Sequence, residues 1–198
     1  CYRAAFLGFL NLEKKSKDDM LWYRIGCMYL HGIGTEADET KAEHYLTKAS
    51  DYGNTHASYQ LARLYIRQES QKLSGESGTA PDYAKIAKAV KWLEESAAQE
   101  NPFADYAIGR LYREGTLVVA DMEKAVFHLK RAADAGNSYA QYQLGKIYLE
   151  EDNKNIPAAI QYLTLAAKQK NEFAAYRLGK IYLAGEELPK NTELALHY

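Results

Sequence analysis

Leu144-Gly145-Lys146-Ile147-Tyr148 decides the fold, because its pattern returns four more times. The other copies are Ile25-Gly26-Cys27-Met28-Tyr29, Leu61-Ala62-Arg63-Leu64-Tyr65, Ile108-Gly109-Arg110-Leu111-Tyr112 and Leu178-Gly179-Lys180-Ile181-Tyr182. The small residue stands at 26, 62, 109, 145 and 179, so the steps are 36, 47, 36 and 34. A near-fixed period in this range marks a solenoid of helical hairpins. The pattern predicts an all-α chain, a right-handed α-α superhelix of stacked antiparallel helix pairs. Such a fold makes surface rather than an enclosed pocket, so binding is expected before catalysis.

Two further columns keep register with the first. Ala42, Ala89, Ala125 and Ala159 each lie 20 residues before the next small residue. Three positions after each comes Tyr45, Trp92, His128 or Tyr162. Asn54, Asn101, Asn137 and Asn171 stand 8 residues before the small residue, and Asp18 fills that slot before Gly26. The long step of 47 preserves these offsets, so its extra 11 residues fall inside one repeat, near 70–81. Rich in Ser and Gly, the insert at 68–81 is expected to be mobile.

Each repeat reads as a helix A followed by a helix B. Helix A is clearest over about 137–150, where Ala140, Leu144, Ile147 and Tyr148 make an amphipathic stripe. Gly145 in its middle costs about 1 kcal/mol against Ala, so close approach to the facing Ala of helix B is expected. Helix B is clearest over 121–135. Asp38, Asp121, Asn155 and Asn191 are placed to cap it. In the second repeat Lys85 takes that slot, which moves the start toward Pro81-Asp82. Gly53-Asn54 and Gly136-Asn137 then end one helix and cap the next.

Composition narrows the function classes. A net charge of −1 gives no global field for nucleic acid or a membrane surface. No apolar run approaches the length of about 18 residues that a membrane helix needs. Only Cys1 and Cys27 are present, so neither a disulfide framework nor a cysteine zinc site is expected. A cytoplasmic location is favoured, and no cofactor or metal is expected. At the amino end, Phe6 and Phe9 occupy the places of Ala42 and Tyr45, so a helix over 2–14 should fill a helix-B slot. At the other end, 191–198 aligns with 38–45 and stops in mid-helix. The expectation is one array over 1–198, about five helix pairs plus an amino-terminal half-repeat, truncated at both ends.

The histidines His31, His44, His56, His128 and His197 show no metal-like spacing. His44 and His197 belong on a helix surface, and His128 reads as a packed ring. Gly32-Ile-Gly34 lacks the Lys-Ser/Thr and the preceding strand of a phosphate loop, so it reads as turn chemistry. Two tyrosine columns stand out. Tyr29, Tyr65, Tyr112, Tyr148 and Tyr182 suit inter-repeat core. Tyr23, Tyr59, Tyr106, Tyr142 and Tyr176 partly line a groove, with Tyr106 and Tyr142 as candidates.

One position after the small residue come Cys27, Arg63, Arg110, Lys146 and Lys180. Two before it come Arg24, Gln60, Ala107, Gln143 and Arg177. Three residues apart, these columns share one helical face. Arg24, Arg63, Arg110, Lys146, Arg177 and Lys180 are therefore candidate binding residues. They suit an acidic peptide or acidic protein surface, with nucleic-acid phosphates as the alternative.

The columns together resemble the Sel-one-like repeat (SLR), the solenoid relative of the tetratricopeptide repeat. The third and fourth units carry it most fully, in Asp121-Met-Glu-Lys-Ala125, Arg131-Ala-Ala, Gly136-Asn137 and Ala140-Gln-Tyr-Gln-Leu-Gly145. That resemblance implies an adaptor or scaffold whose helices A line a concave groove for a protein partner, not an enzyme. One branch of the family binds and hydrolyses penicillin-like ligands, with a cysteine pair in each repeat that this chain lacks. Tyr176-Arg-Leu-Gly-Lys-Ile-Tyr-Leu-Ala-Gly185 is also similar to repeat arrays that follow the nicking domain of Gram-positive mobilisation proteins (relaxases). No segment here matches that catalytic domain.

Overall fold

Small residues at mid-helix and Asx residues at the helix starts determine where the chain turns and what it packs on. In a computed structural model that describes residues 2–75 and 79–198, the described residues form α-helices and one 3-10 turn, Glu151–Asn153, with no strand. The helices are α1 Tyr2–Glu13, α2 Asp19–His31, α3 Glu39–Asp51, α4 Thr55–Ser74, α5 Tyr83–Ala98, α6 Pro102–Glu114, α7 Met122–Asp134, α8 Ser138–Ile147, α9 Ile156–Lys168, α10 Glu172–Ala184 and α11 Thr192–His197. The chain divides into two compact units, Cys1–Gln99 and Glu100–Tyr198. In the first, α1 packs on the hairpin α2/α3, followed by α4/α5. In the second, the hairpins are α6/α7, α8/α9 and α10/α11.

The expected caps are made. Asp18, Asn54, Asn101, Asn137 and Asn171 each accept a hydrogen bond from a backbone N–H in the first turn of a helix A. Asp38, Asp121, Asn155 and Asn191 do the same for helix B. Asp82 caps α5, so that helix does start earlier than the common register, just after Pro81. Each such cap contributes about 1 kcal/mol.

The mid-helix glycines are packing devices, though their main neighbour is not the residue expected. A Cβ on Gly145 would lie 2.6 Å from Leu163 Cγ, and one on Gly109 would lie 2.7 Å from Leu129 Cγ. On Gly26 it would lie 2.7 Å from Leu46 Cγ. The close partner is thus the Leu four residues beyond the helix-B Ala. The Ala offers its backbone, with Ala125 O at 3.1 Å and Ala159 O at 3.4 Å from the same hypothetical atoms. Leu46, Leu129 and Leu163 are fully buried as a result.

The second tyrosine column also packs differently from the expectation. Its rings stack within hairpins rather than only between them: Tyr29 on Tyr45 at 5.8 Å, Tyr148 on Tyr162 at 6.0 Å and Tyr182 on Tyr198 at 6.2 Å. Tyr65 meets Trp92 at 5.8 Å, and its hydroxyl donates to Glu43. His128 is the largely buried ring expected in the partner column, but its partner is polar. Its Nδ1 lies 2.8 Å from Oδ1 of buried Asp105, so a polar pair replaces the ring stack there.

Two boundaries need correction. The insert at 68–81 begins as helix, because α4 continues to Ser74. Glu69 holds it there: its fully buried carboxylate accepts from Lys72 Nζ at 2.8 Å and from Asp82 N at 2.7 Å. Burial opposes ionisation of Glu69, but these bonds leave its pKa below the usual carboxylate value. Residues 76–78 of the insert lie outside the described residues. Helix α8 ends at Ile147, not near Glu150. Without a loop glycine, the chain tightens into bonds from Leu149 N to Lys146 O and from Glu150 N to Ile147 O.

Helix B ends in left-handed backbone at Gly53, with φ 89°, and at Gly136, with φ 87°. The same turn is made by Glu100, with φ 60°, and Lys170, with φ 62°. A side chain there costs about 1–2 kcal/mol, which glycine avoids. Glu100→Gly and Lys170→Gly should therefore each stabilise the protein by about 1 kcal/mol in urea unfolding. Gly145→Leu should destabilise it by about 1–3 kcal/mol or more, through collision with Leu163. An unchanged melting temperature for Gly145→Leu would show that the small column does not set the hairpin spacing.

Candidate functional site: the helix-A face

Helix A has one face committed to the core and one left over. In α6 the buried face is Ala104, Ile108 and Leu111; in α8 it is Ala140, Leu144 and Ile147; in α10 it is Ala174, Leu178 and Ile181. The opposite face of the second unit carries three columns at i, i+3 and i+7, which one helical stripe can present together. They are Phe103, Tyr106 and Arg110 on α6; Tyr139, Tyr142 and Lys146 on α8; Phe173, Tyr176 and Lys180 on α10.

Each cation lies over the ring one turn before it. Arg110 is 6.0 Å from the Tyr106 centroid, Lys146 5.7 Å from Tyr142 and Lys180 5.8 Å from Tyr176. Rings also meet between neighbouring helices A, Tyr106 with Tyr139 at 6.1 Å and Tyr142 with Phe173 at 6.0 Å. Phe103, Tyr139, Phe173 and Tyr176 remain more than half exposed. Large rings at that exposure, interleaved with cations, have the composition of binding hot spots rather than of an ordinary solvated surface.

The candidate residues are not equivalent. Arg110 is exposed but tied to Glu114 at 2.5 Å. Arg177 and Lys180 are exposed and share a cleft of about 230 Å3 with Leu149, Ile181, Glu186 and Glu187. Lys146 is half-buried, where full exposure is expected of a groove residue. Burial pushes its ammonium pKa down, and Arg113 and Arg177 push it further against the smaller opposing pull of Glu150. In the first unit, Arg24 is exposed near the Phe9 ring at 6.0 Å, and Arg63 is exposed over Tyr59 at 5.7 Å. Tyr23 bonds to the Cys27 thiol; burial raises the pKa of both, which makes Cys27 a poor nucleophile.

Sequence reasoning missed two parts of this face. The column Phe103, Tyr139, Phe173 stands six residues before the small residue, where a regular helix exposes it. Its signal was aromatic recurrence, masked by the attention that the two Tyr columns draw. Arg113 was missed because its column is otherwise apolar: Leu30, Ile66, Leu149 and Leu183. A cation in such a column is itself the signal.

Five segments match the Sel1 repeat family: residues 23–54, 55–101, 102–137, 138–171 and 173–198. The chain belongs to the Sel1 repeat family. A putative sel1-like repeat-containing protein of Acanthamoeba polyphaga mimivirus is 28% identical over 129 residues, 56% of this chain and 24% of that protein. The ERAD-associated E3 ubiquitin-protein ligase component HRD3B of Arabidopsis thaliana is 28% identical over 114 residues, 57% of this chain and 16% of that protein. The crystal structure of a protective antigen of uropathogenic Escherichia coli with an SLR fold superposes with TM-score 0.79 at 25% identity, covering 98% of this chain and 39% of that one. The chain thus spans well under half the length of these relatives. Sel1 repeats are in general protein–protein interaction modules, and proteins built from them are typically adaptors. Among the described residues, no helix is long and apolar enough to cross a membrane, and no group of three His, Cys, Asp or Glu could hold a metal ion.

Lys146 of this Sel1 repeat protein should titrate below the ordinary lysine value, because its charged form is the one penalised. Two-dimensional NMR of the lysine Cε–Hε resonances reads this directly. Arg177→Gln should raise the Lys146 midpoint toward the ordinary value. A Lys146 midpoint at the ordinary lysine value would remove the case for a crowded cationic locus.

Proposed function

We propose that this protein is an interaction scaffold that binds a segment of a protein partner along the helix-A face of its second unit. The observation that carries the reading is the paired arrangement of exposed rings and cations on α6, α8 and α10. An extended or helical segment laid across these helices would bury apolar side chains against Phe103, Tyr139 and Phe173. Acidic groups of the segment would answer Lys146, Arg177 and Lys180. Family membership supports a protein partner, and the rings supply what a flat charged surface lacks, apolar area whose burial contributes about 25 cal/mol per Å2.

A nucleic-acid reading would use the same cations on phosphates. It is weaker, because Arg110 is bonded to Glu114 and Arg113 to Glu150, and the chain's net charge is −1. A nucleic-acid ligand would show a steep loss of affinity with salt, one increment for each phosphate neutralised.

A photo-crosslinking amino acid at position 139 should capture a defined protein from the source cell. The same group at Glu123, on the exposed side of α7, should not capture it. Phe173→Ser should remove the adduct while circular dichroism stays unchanged, since surface substitutions usually shift stability by no more than about 0.5 kcal/mol. Equal capture from positions 139 and 123, or an adduct indifferent to Phe173→Ser, would overturn this placement of the binding face.

A further inference from the structure

Three cations from successive helices A converge in the second unit: Arg113 at the end of α6, Lys146 on α8 and Arg177 on α10. Arg113 reaches Gln143 and Glu150, which flank Lys146 in the chain, and Arg177 lines a cleft with Leu149, so both guanidinium charges act on Lys146. Arg113 is fixed in place. It donates to Gln143 Oε1, and it donates to Glu150 Oε1 at 2.6 Å. Among the described residues, no carboxylate oxygen lies within 4 Å of Lys146 or Arg177; the nearby Glu150 is spent on Arg113. Of the charges that act on Lys146, two are positive and one is negative, so positive charge is in excess around it.

A half-buried ammonium with two guanidinium neighbours is a standing cost to the free protein. Any anion that enters relieves it, so the arrangement favours an occupied state. The surroundings select the anion. Glu150 is within the cluster, and Glu186 and Glu187 line the cleft below Arg177 and Lys180. These carboxylates offset part of the positive field, which takes more from the pull on a doubly charged phosphate than from the pull on a singly charged carboxylate. The cluster also adjoins an apolar platform. The Tyr142 ring lies beneath Lys146, and exposed Phe173 meets Tyr142 at 6.0 Å.

We propose that Arg113, Lys146 and Arg177 form a recognition site for an Asp or Glu carboxylate of the partner, with the neighbouring apolar side chain of that partner seated on Tyr142 and Phe173. The proposal rests on the helix-A reading and names its chemistry. Lys146 and Arg177 supply the charge-assisted hydrogen bonds, and Arg113 adds field while held by Gln143 and Glu150. The aromatic platform fixes which acidic residue is read: one beside an apolar residue, not any acidic run.

The test uses capped, fluorescent peptides on the whole chain, measured by anisotropy. One alternates Phe and Glu, one has Gln for Glu, one has phosphoserine for Glu, and one has Ala for Phe. The Phe/Glu peptide should bind about tenfold more tightly than the Gln peptide, and more tightly than the phosphoserine and Ala peptides. Lys146→Gln and Arg177→Gln should each cost about tenfold for the Phe/Glu peptide and leave the Gln peptide unchanged. Arg177 is exposed, so its variant tests the site even if the half-buried Lys146 variant is unstable. Wild-type affinity should fall as alkaline pH discharges Lys146, and Lys146→Arg should bind as well without that fall. Equal affinity for the Glu and Gln peptides, Gln variants that keep the preference, or a preference for phosphoserine would each overturn the carboxylate site. Failure of every peptide to bind would overturn it as well. The binding face is judged separately, by crosslinking at position 139.

Discussion

The close approach of helix A to helix B inside each hairpin is the constraint on which the rest depends. It puts a Gly of one helix against a Leu and the main chain of the other, so that a methyl at Gly26, Gly109 or Gly145 would collide with that Leu. Dispersion contacts are individually small and fall off steeply with separation, so this spacing decides how many each core side chain makes. Leu46, Leu129 and Leu163 owe their complete burial to it. So does the stacking of tyrosines across the hairpins, since parallel rings about 6 Å apart need helices held at one distance. Because the contact is made within a repeat, each hairpin is a finished unit that then needs only its neighbour to cover its apolar side.

Departures from the repeat are informative because the repeat is so regular. Asp105 and His128 put a polar pair in the α6/α7 hairpin where other hairpins stack two rings, and Arg131 lies 3.5 Å from the same carboxylate. Glu69 is another departure. It lets α4 run two turns further than its counterparts and fastens the start of α5 to that extension. Insertions in solenoids are tolerated where they leave the hairpin contact intact, and this one does: Asp82 begins α5 in a register that still buries Ala89 and Leu93.

The surface follows from the core by geometry. Committing one face of helix A to Ala, Leu and Ile leaves the opposite face at fixed positions, and the repeat lays equivalent residues side by side. A run of single exposed rings in sequence thereby becomes a contiguous aromatic strip within a unit, with a cation over each ring of the middle column. The local charge excess around Lys146 arises in the same way. Lys146 and Arg177 are ordinary members of their columns and Arg113 is the exception in its own; stacking brings the three together.

Helices, their order, their caps and the hairpin pairing were all written in the sequence, because each depends on interactions spanning a few residues or one repeat period. Asn137 caps α8 through bonds two and three residues away, and the Gly column reports its own packing need. What the sequence could not decide was anything set by distance across the stack. That Leu163 rather than Ala159 fills the space at Gly145, that His128 pairs with Asp105, and that Gln68–Ser74 continue a helix are outcomes of three-dimensional fit. The basic columns were legible as columns. Which members stay free, which are tied to Glu114 or Glu150, and which is crowded enough to lose its proton early were settled only by neighbours from other helices, because charge acts through space and not along the chain.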